Sequence, residues 1–167
     1  EYDSEDENAL LEALHNRYWG GIGDEEAPIP EFENIFSHYH DTKYGLAVAN
    51  GTVSLELSLK AGGIKPGDEV IVPAITFIAT ASAVISVGAV PIFADVDLNT
   101  GQISANSIKK VMTDKTKAII IVHYGSYIAD LDAVTALTEK ENLILIEDCA
   151  HVHGASWRGK KVGSWGD

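Results

Sequence analysis

The sequence predicts an α/β protein, three αβα layers around a mostly parallel sheet, from three observations. Five short apolar runs alternate with helix-like stretches from Tyr44 onward. Each run (GLAVAN, EVIVPA, VPIFADV, KAIIIVHY, LILIEDC) is apolar or β-branched at consecutive positions, so both faces of each strand need cover. The helical stretches supply that cover, and strand–helix–strand repetition joins parallel neighbours through right-handed crossovers.

Two helical patterns come first and make an N-terminal segment, residues 1–43. Asn8 to Trp19 sets Leu10, Leu11, Leu14 and Tyr18 at helical spacing, and Gly20-Gly21 stops it. Pro30 to His40 aligns Phe32, Ile35, Phe36 and Tyr39 after a proline-bearing start. Residues 44–167 carry the α/β region. Strand one is expected at 45–50, before a helix from Thr52 to Ala61. Strand two (69–74) leads into Phe77–Val87, and strand three (90–96) into Asn106–Met112. Strand four (117–124) leads into Asp130–Glu141, and strand five (143–149) into a glycine-rich hairpin.

Composition narrows the function. The chain has 167 residues, 46% of them hydrophobic, enough for one domain with a real core. Its longest apolar run, Ala118 to Val122, is strand-sized and far below the roughly 20 residues that span a membrane. A single cysteine, Cys149, excludes an internal disulfide and points to a reducing, cytoplasmic setting. The net charge of −13 argues against nucleic acid and anionic membrane surfaces as partners. Much of the acid lies in EYDSEDEN and in Asp24-Glu25-Glu26, which read as a solvated tail and loop. The start at Glu1 without Met, and a stop at Asp167 with no closing element, read as a piece of a longer protein.

Open α/β sheets bind ligands at the carboxyl ends of their strands. Gly51-Thr52 stands between strand one and its helix, where glycine admits an anion to backbone N–H groups and the helix terminus adds positive partial charge. The pair serves either as a phosphate cradle or simply as turn and cap geometry. Neither GxGxxG nor GxxxxGK[ST] occurs. At the end of strand five, alternation puts Glu147 and Asp148 on opposite faces, so they do not make a carboxylate dyad. One of them faces the crevice, either to hold a cationic ring nitrogen or to cap the following turn. His123, His151, His153 and Cys149 lack zinc-ligand spacing, so no metal is expected, and Cys149 reads as a packing residue. Phe77 faces the crevice, free to stack on a flat ring or to pack in the core. Arg158, Lys160 and Lys161 read as a solvated hairpin.

Taken in order, ANGTVSLELSLKAGGIKPGDEVIVPAITFIATASAVISVGAVPIFADVD, HYGSYIADLDAV and LILIEDCAHVHGASWRGKKVGSWGD resemble the DegT/DnrJ/EryC1/StrS family. These are pyridoxal-phosphate-dependent sugar aminotransferases of fold type I, and the likeness runs from about Leu10 to the end. The resemblance implies that 44–167 is part of a large cofactor-binding domain and that the cofactor is pyridoxal 5'-phosphate. Gly51, Thr52 and Val53 match the turn that holds its phosphate, and Phe77 matches the aromatic that stacks on its ring. Asp148 matches the aspartate paired with the ring nitrogen, and His151 a position beside the ring's phenolic oxygen; these two are the candidate catalytic residues. The implied reaction moves an amino group from glutamate or glutamine to a keto-sugar or related cyclic ketone. A homodimer is implied as well.

Asn50 stands where the family commonly has Ser, and Tyr127-Ile128 replace its usual small residue and proline; neither touches the expected chemistry. The family's cofactor-bearing lysine falls about ten positions past the match to Asp167, and none of Lys60, Lys65, Lys160 or Lys161 occupies it. This stretch by itself is therefore not expected to transaminate. Two alternatives stand beside amino transfer: a keto-sugar dehydratase, in which histidine replaces that lysine, and a non-catalytic α/β module.

Overall fold

The structure, a computed structural model, describes residues 2–17 and 27–167. It divides into two compact units, Glu1–Ala47 and Val48–Asp167. The first holds α1 (Ser4–Asn16) and α2 (Pro28–Tyr39). Asp3 and Asp6 close a capping box at the start of α1, and Arg17 ends it in the left-handed region at φ 57°. Tyr18, Trp19, the Gly20-Gly21 stop and the acidic 24–26 loop lie outside the described residues.

The second unit runs α3 (Gly51–Ala61), β1 (Glu69–Pro73), α4 (Ala79–Ser86), β2 (Val90–Ala94), α5 (Ala105–Val111), β3 (Thr116–Val122), α6 (Leu131–Glu141) and β4 (Ile144–Asp148). A 3-10 turn, Tyr124–Ser126, follows β3, and a small antiparallel hairpin, β5 (Ser156–Trp157) and β6 (Lys160–Lys161), follows β4. The four long strands pair in the order β2-β1-β3-β4, every pair parallel, which is the sheet the consecutive apolar runs predict.

One expected strand is not formed. Residues 45–50 have strand-like composition but no ladder partner among the described residues, and Leu46 is exposed. An apolar run reports a wish to be buried. Only a neighbouring strand's N–H and C=O groups make it a strand.

β3 divides the core by alternation. Ile119 and Ile121 pack with Leu145, Ile108, Leu131 and Val134 on the α5/α6 face. Ala118, Ile120 and Val122 pack with Leu55, Leu59, Val84 and Ile146 on the α3/α4 face. Helices therefore cover both faces, completing three layers. Ile120 is wholly buried in the middle of that stack. Ile120→Ala is expected to cost about 2–5 kcal/mol, and Ile120→Val about 0.5–1.5 kcal/mol, in urea unfolding.

The basic hairpin is pinned rather than free: Trp157 Nε1–H (3.0 Å) and Arg158 Nε–H (2.7 Å) both donate to Asp132 of α6. Arg158 is largely exposed, so its ion pair contributes little on its own.

Candidate cofactor site

The site begins with the direction of α3. A Cβ on Gly62, just past its C-terminus, would lie 3.2 Å from Ile144 at the amino end of β4. Eleven residues of helix and five of strand cover similar lengths, about 16 Å each. The N-terminus of α3 therefore lies towards the carboxyl end of β4, where Asp148 stands. Parity places Asp148 with Ile146 on the α3/α4 face, and Glu147 with Leu145 on the other.

At that N-terminus, Asn50 Oδ1 accepts the Val53 N–H (3.1 Å). The Gly51 and Thr52 N–H groups meet no protein acceptor among the described residues. Gly51 is not required by its backbone, which has no positive φ, nor by packing, since an added Cβ would meet nothing within 4 Å. What remains is open space in front of two free donors at a helix N-terminus, suited to a phosphate dianion. Val53, grouped with them from the sequence, has already given its N–H to the cap.

Phe77 lies in the loop between β1 and α4, two residues before the helix begins, and is 70% exposed. It takes no part in the core. Asp148 ends β4: one carboxylate oxygen accepts the Ala150 N–H (3.2 Å), and its carbonyl accepts the His123 N–H (3.2 Å). The second carboxylate oxygen has no protein partner among the described residues. His151, in the turn beyond, accepts the Gly125 N–H on Nδ1 (3.2 Å), and its carbonyl accepts the Ser126 hydroxyl (3.1 Å). That fixes the ring proton on Nε2 and leaves it a donor.

Cys149 is inert by environment: burial, then the charges of Glu147 and Asp148, push its thiol up to about 12. At mildly alkaline pH it carries roughly 10³-fold less thiolate than a free cysteine. Iodoacetamide labelling followed by mass spectrometry is expected to leave native Cys149 unmodified and to modify it in urea.

Two residues given no part in the chemistry by sequence reasoning prove central to the framework. His123 is wholly buried and hydrogen-bonds Glu147, whose carboxylate also binds the 163–166 turn. A cleft of about 560 Å³ runs along the outer edge of β4, between residues 144–147, Gly163, Gly166 and the last turns of α3. It includes none of Gly51, Phe77 or Asp148. It is sheet edge, partly occupied where Asp167 N–H donates to the Leu145 carbonyl and its carboxylate accepts the Leu145 N–H.

The structural neighbours of this parallel αβα fold are fold type I aminotransferases. The sequence profile of the DegT/DnrJ/EryC1/StrS aminotransferase family matches residues 1–167. The chain belongs to that family. It is 44% identical over 159 residues to L-glutamine:2-deoxy-scyllo-inosose aminotransferase of Streptomyces fradiae, covering 93% of this chain and 38% of the relative. Its fold matches an aminotransferase from Psychrobacter cryohalolentis (TM-score 0.92, 43% identity, 99% of this chain and 42% of that one). NtdA from Bacillus subtilis, solved with bound cofactor PMP, superposes with a TM-score of 0.86 at 32% identity, over 96% of this chain and 37% of that one. The chain spans about two fifths of the length of the curated relatives it matches, 39% and 42% for the first two.

Proposed function

We propose that this protein transfers an amino group from glutamate or glutamine to a keto-sugar or related cyclic ketone, using pyridoxal 5'-phosphate. The observation that carries the reading is the unclaimed donor pair at Gly51 and Thr52, lying towards the same end of the sheet as the free carboxylate oxygen of Asp148. When bound, the cofactor supplies an electron sink that lets a substrate α-proton leave. Gly51 and Thr52 hold its phosphate, with Val53 completing the turn. Phe77 offers an open aromatic face for stacking. Asp148 keeps a proton on the ring nitrogen, since an opposite charge within about 4–6 Å favours the charged form by roughly 1–3 pKa units. The Nε2–H of His151 fits a contact to the ring's phenolic oxygen.

The relatives support the substrate class: a scyllo-inosose is a cyclic ketone, and a GDP-perosamine synthase of Caulobacter vibrioides is 41% identical to this chain. A homodimer fits the exposed Ile75, Phe77, Ile78 and Ile85 in and before α4, and light scattering would read it directly. No described helix is long and apolar enough to cross a membrane.

Two measurements test the reading. Incubation with L-glutamine and cyclic keto-sugars, followed by mass spectrometry, is expected to give an aminated product; absence of amination across donors and ketones overturns it. Thr52→Val, which removes the hydroxyl beside the backbone donors, is expected to weaken cofactor binding about 10-fold or more in equilibrium dialysis, the scale of one lost hydrogen bond to a charged group. Gly51→Val, which keeps its N–H but fills the open space in front of it, is expected to weaken it as well. Unchanged affinity in both places the phosphate elsewhere.

A further inference from the structure

One buried polar network lies outside the residues that face the cofactor. Glu147 is a carboxylate with a donor at every lone-pair site. Its Oε1 accepts the N–H groups of Trp165 (2.6 Å) and Gly166 (2.8 Å). Its Oε2 accepts the Gly163 N–H (3.0 Å) and faces His123 Nε2 (3.3 Å). His123 Nδ1 accepts the Ala129 N–H (3.1 Å), which puts the ring proton on Nε2, pointing at Glu147.

A metal is the first alternative, because ligand atoms of His123, Glu147 and Cys149 lie within 4.8 Å of one another. Both histidine nitrogens and all four carboxylate positions are already engaged, and the cysteine stays a thiol. A cation there would have to displace backbone donors that have nowhere else to go.

The network does something else. Asp148 is the last residue of β4, and its own side chain is held by a single N–H from the turn that follows. Its position is inherited from its neighbours. His123 grips both halves of the Glu147-Asp148 pair: its backbone N–H donates to the Asp148 carbonyl, and its ring to the Glu147 carboxylate. Through Glu147 the end of β4 is also tied to the 163–166 turn. Two segments, the end of β3 and the 163–166 turn, thus hold the last two residues of β4, and strand alternation then aims Asp148 at the α3/α4 face.

We propose that His123 and Glu147 are positioning residues, a mount that fixes the Asp148 carboxylate against the ring nitrogen of the cofactor. The proposal rests on the reading of Asp148 given above. Misplacement of a reacting group by about 1 Å costs on the order of 10²-fold in rate, so the mount matters although neither residue touches the cofactor.

The test loads the holo protein with pyridoxal phosphate carrying nitrogen-15 in its ring. Nitrogen NMR at neutral pH reports ring protonation, beside cofactor Kd and separate kcat and KM. Glu147→Gln places an amide N–H₂ against donors, and His123→Phe removes the ring donor. Both are expected to move the ring resonance towards its unprotonated position and to lower kcat about 10-fold or more with KM for the amino donor little changed. His123→Gln, which keeps an N–H directed at Glu147, is expected to restore the resonance. Asp148→Asn is the reference: if it leaves the resonance unmoved, the assignment of Asp148 fails whatever Glu147 does. If Asp148→Asn moves it while Glu147→Gln and His123→Phe do not, the mount is overturned and Asp148 acts alone. Should Glu147→Gln not fold, the two His123 variants decide: a shift in His123→Phe reversed in His123→Gln supports the mount, and equal resonances overturn it.

Discussion

Asp148→Asn is expected to lower the rate of amino transfer by about 10²–10³-fold, the scale seen when one preorganised electrostatic contact is taken from a reacting centre. The substitution is close to isosteric and keeps an oxygen for the Ala150 N–H, which Asp148 accepts at 3.2 Å, so the local turn should persist. What it removes is negative charge. Without that charge a pyridine nitrogen gives up its proton near neutrality, and the ring withdraws electrons far less well. The loss should therefore appear in kcat, with cofactor affinity changed much less, because the phosphate grip proposed for Gly51 and Thr52 is left intact. Steady-state kinetics with a thermal midpoint as control would check it. A kcat within about threefold of the unsubstituted protein would remove Asp148 from the chemistry, since a contact made chiefly in the transition state must show in kcat.

The placing of Asp148 also shows what a sequence carries. That Glu147 and Asp148 face opposite ways follows from strand alternation alone, and the structure puts their side chains in different surroundings. Which of the two would meet a ligand does not follow. It depends on the covering helices and on who satisfies Glu147, and three of its four donors are the backbone N–H groups of Gly163, Trp165 and Gly166. Backbone donors leave no mark in residue identity, so that half of the network was illegible. His123 did leave a mark, a polar residue closing the run AIIIV, but burial alone does not separate a ligand from a structural imidazole.

The inner strands β1 and β3 were legible because both faces are covered, so their composition is unbroken, while the edge strand β2 keeps the same apolar run with Val90 and Phe93 exposed. The same signal misleads at GLAVAN, where composition is right and no partner strand is described. Gly51 sits between these cases. Its position before a helix was visible, yet only the absence of positive φ and of any neighbour near its Cβ separates a ligand-driven glycine from a turn-driven one.

Glu147→Ala is expected to destabilise the protein by about 3–5 kcal/mol at neutral pH, among the largest single effects available in this fold. Truncation leaves four donors facing a void: His123 Nε2–H and the N–H groups of Gly163, Trp165 and Gly166. Each buried donor without an acceptor costs about 1–3 kcal/mol, and entering water recovers part of it. The effect must also depend on pH. Burial alone would raise the Glu147 pKa, but hydrogen bonds from His123 and from the backbone of Gly163, Gly166 and Trp165 outweigh it, and the net shift is downward from 4.5. A carboxylate with a lowered folded-state pKa stabilises fully above its unfolded value and loses that contribution as pH falls through the folded one. The stability gap between the unsubstituted protein and Glu147→Ala should therefore be constant from neutral pH down to about 4.5 and narrow below it. Urea unfolding on both sides of that value decides the point. A gap that stays equally wide in acid would mean that the bulk of the side chain, not its charge, holds the 163–166 turn against β4.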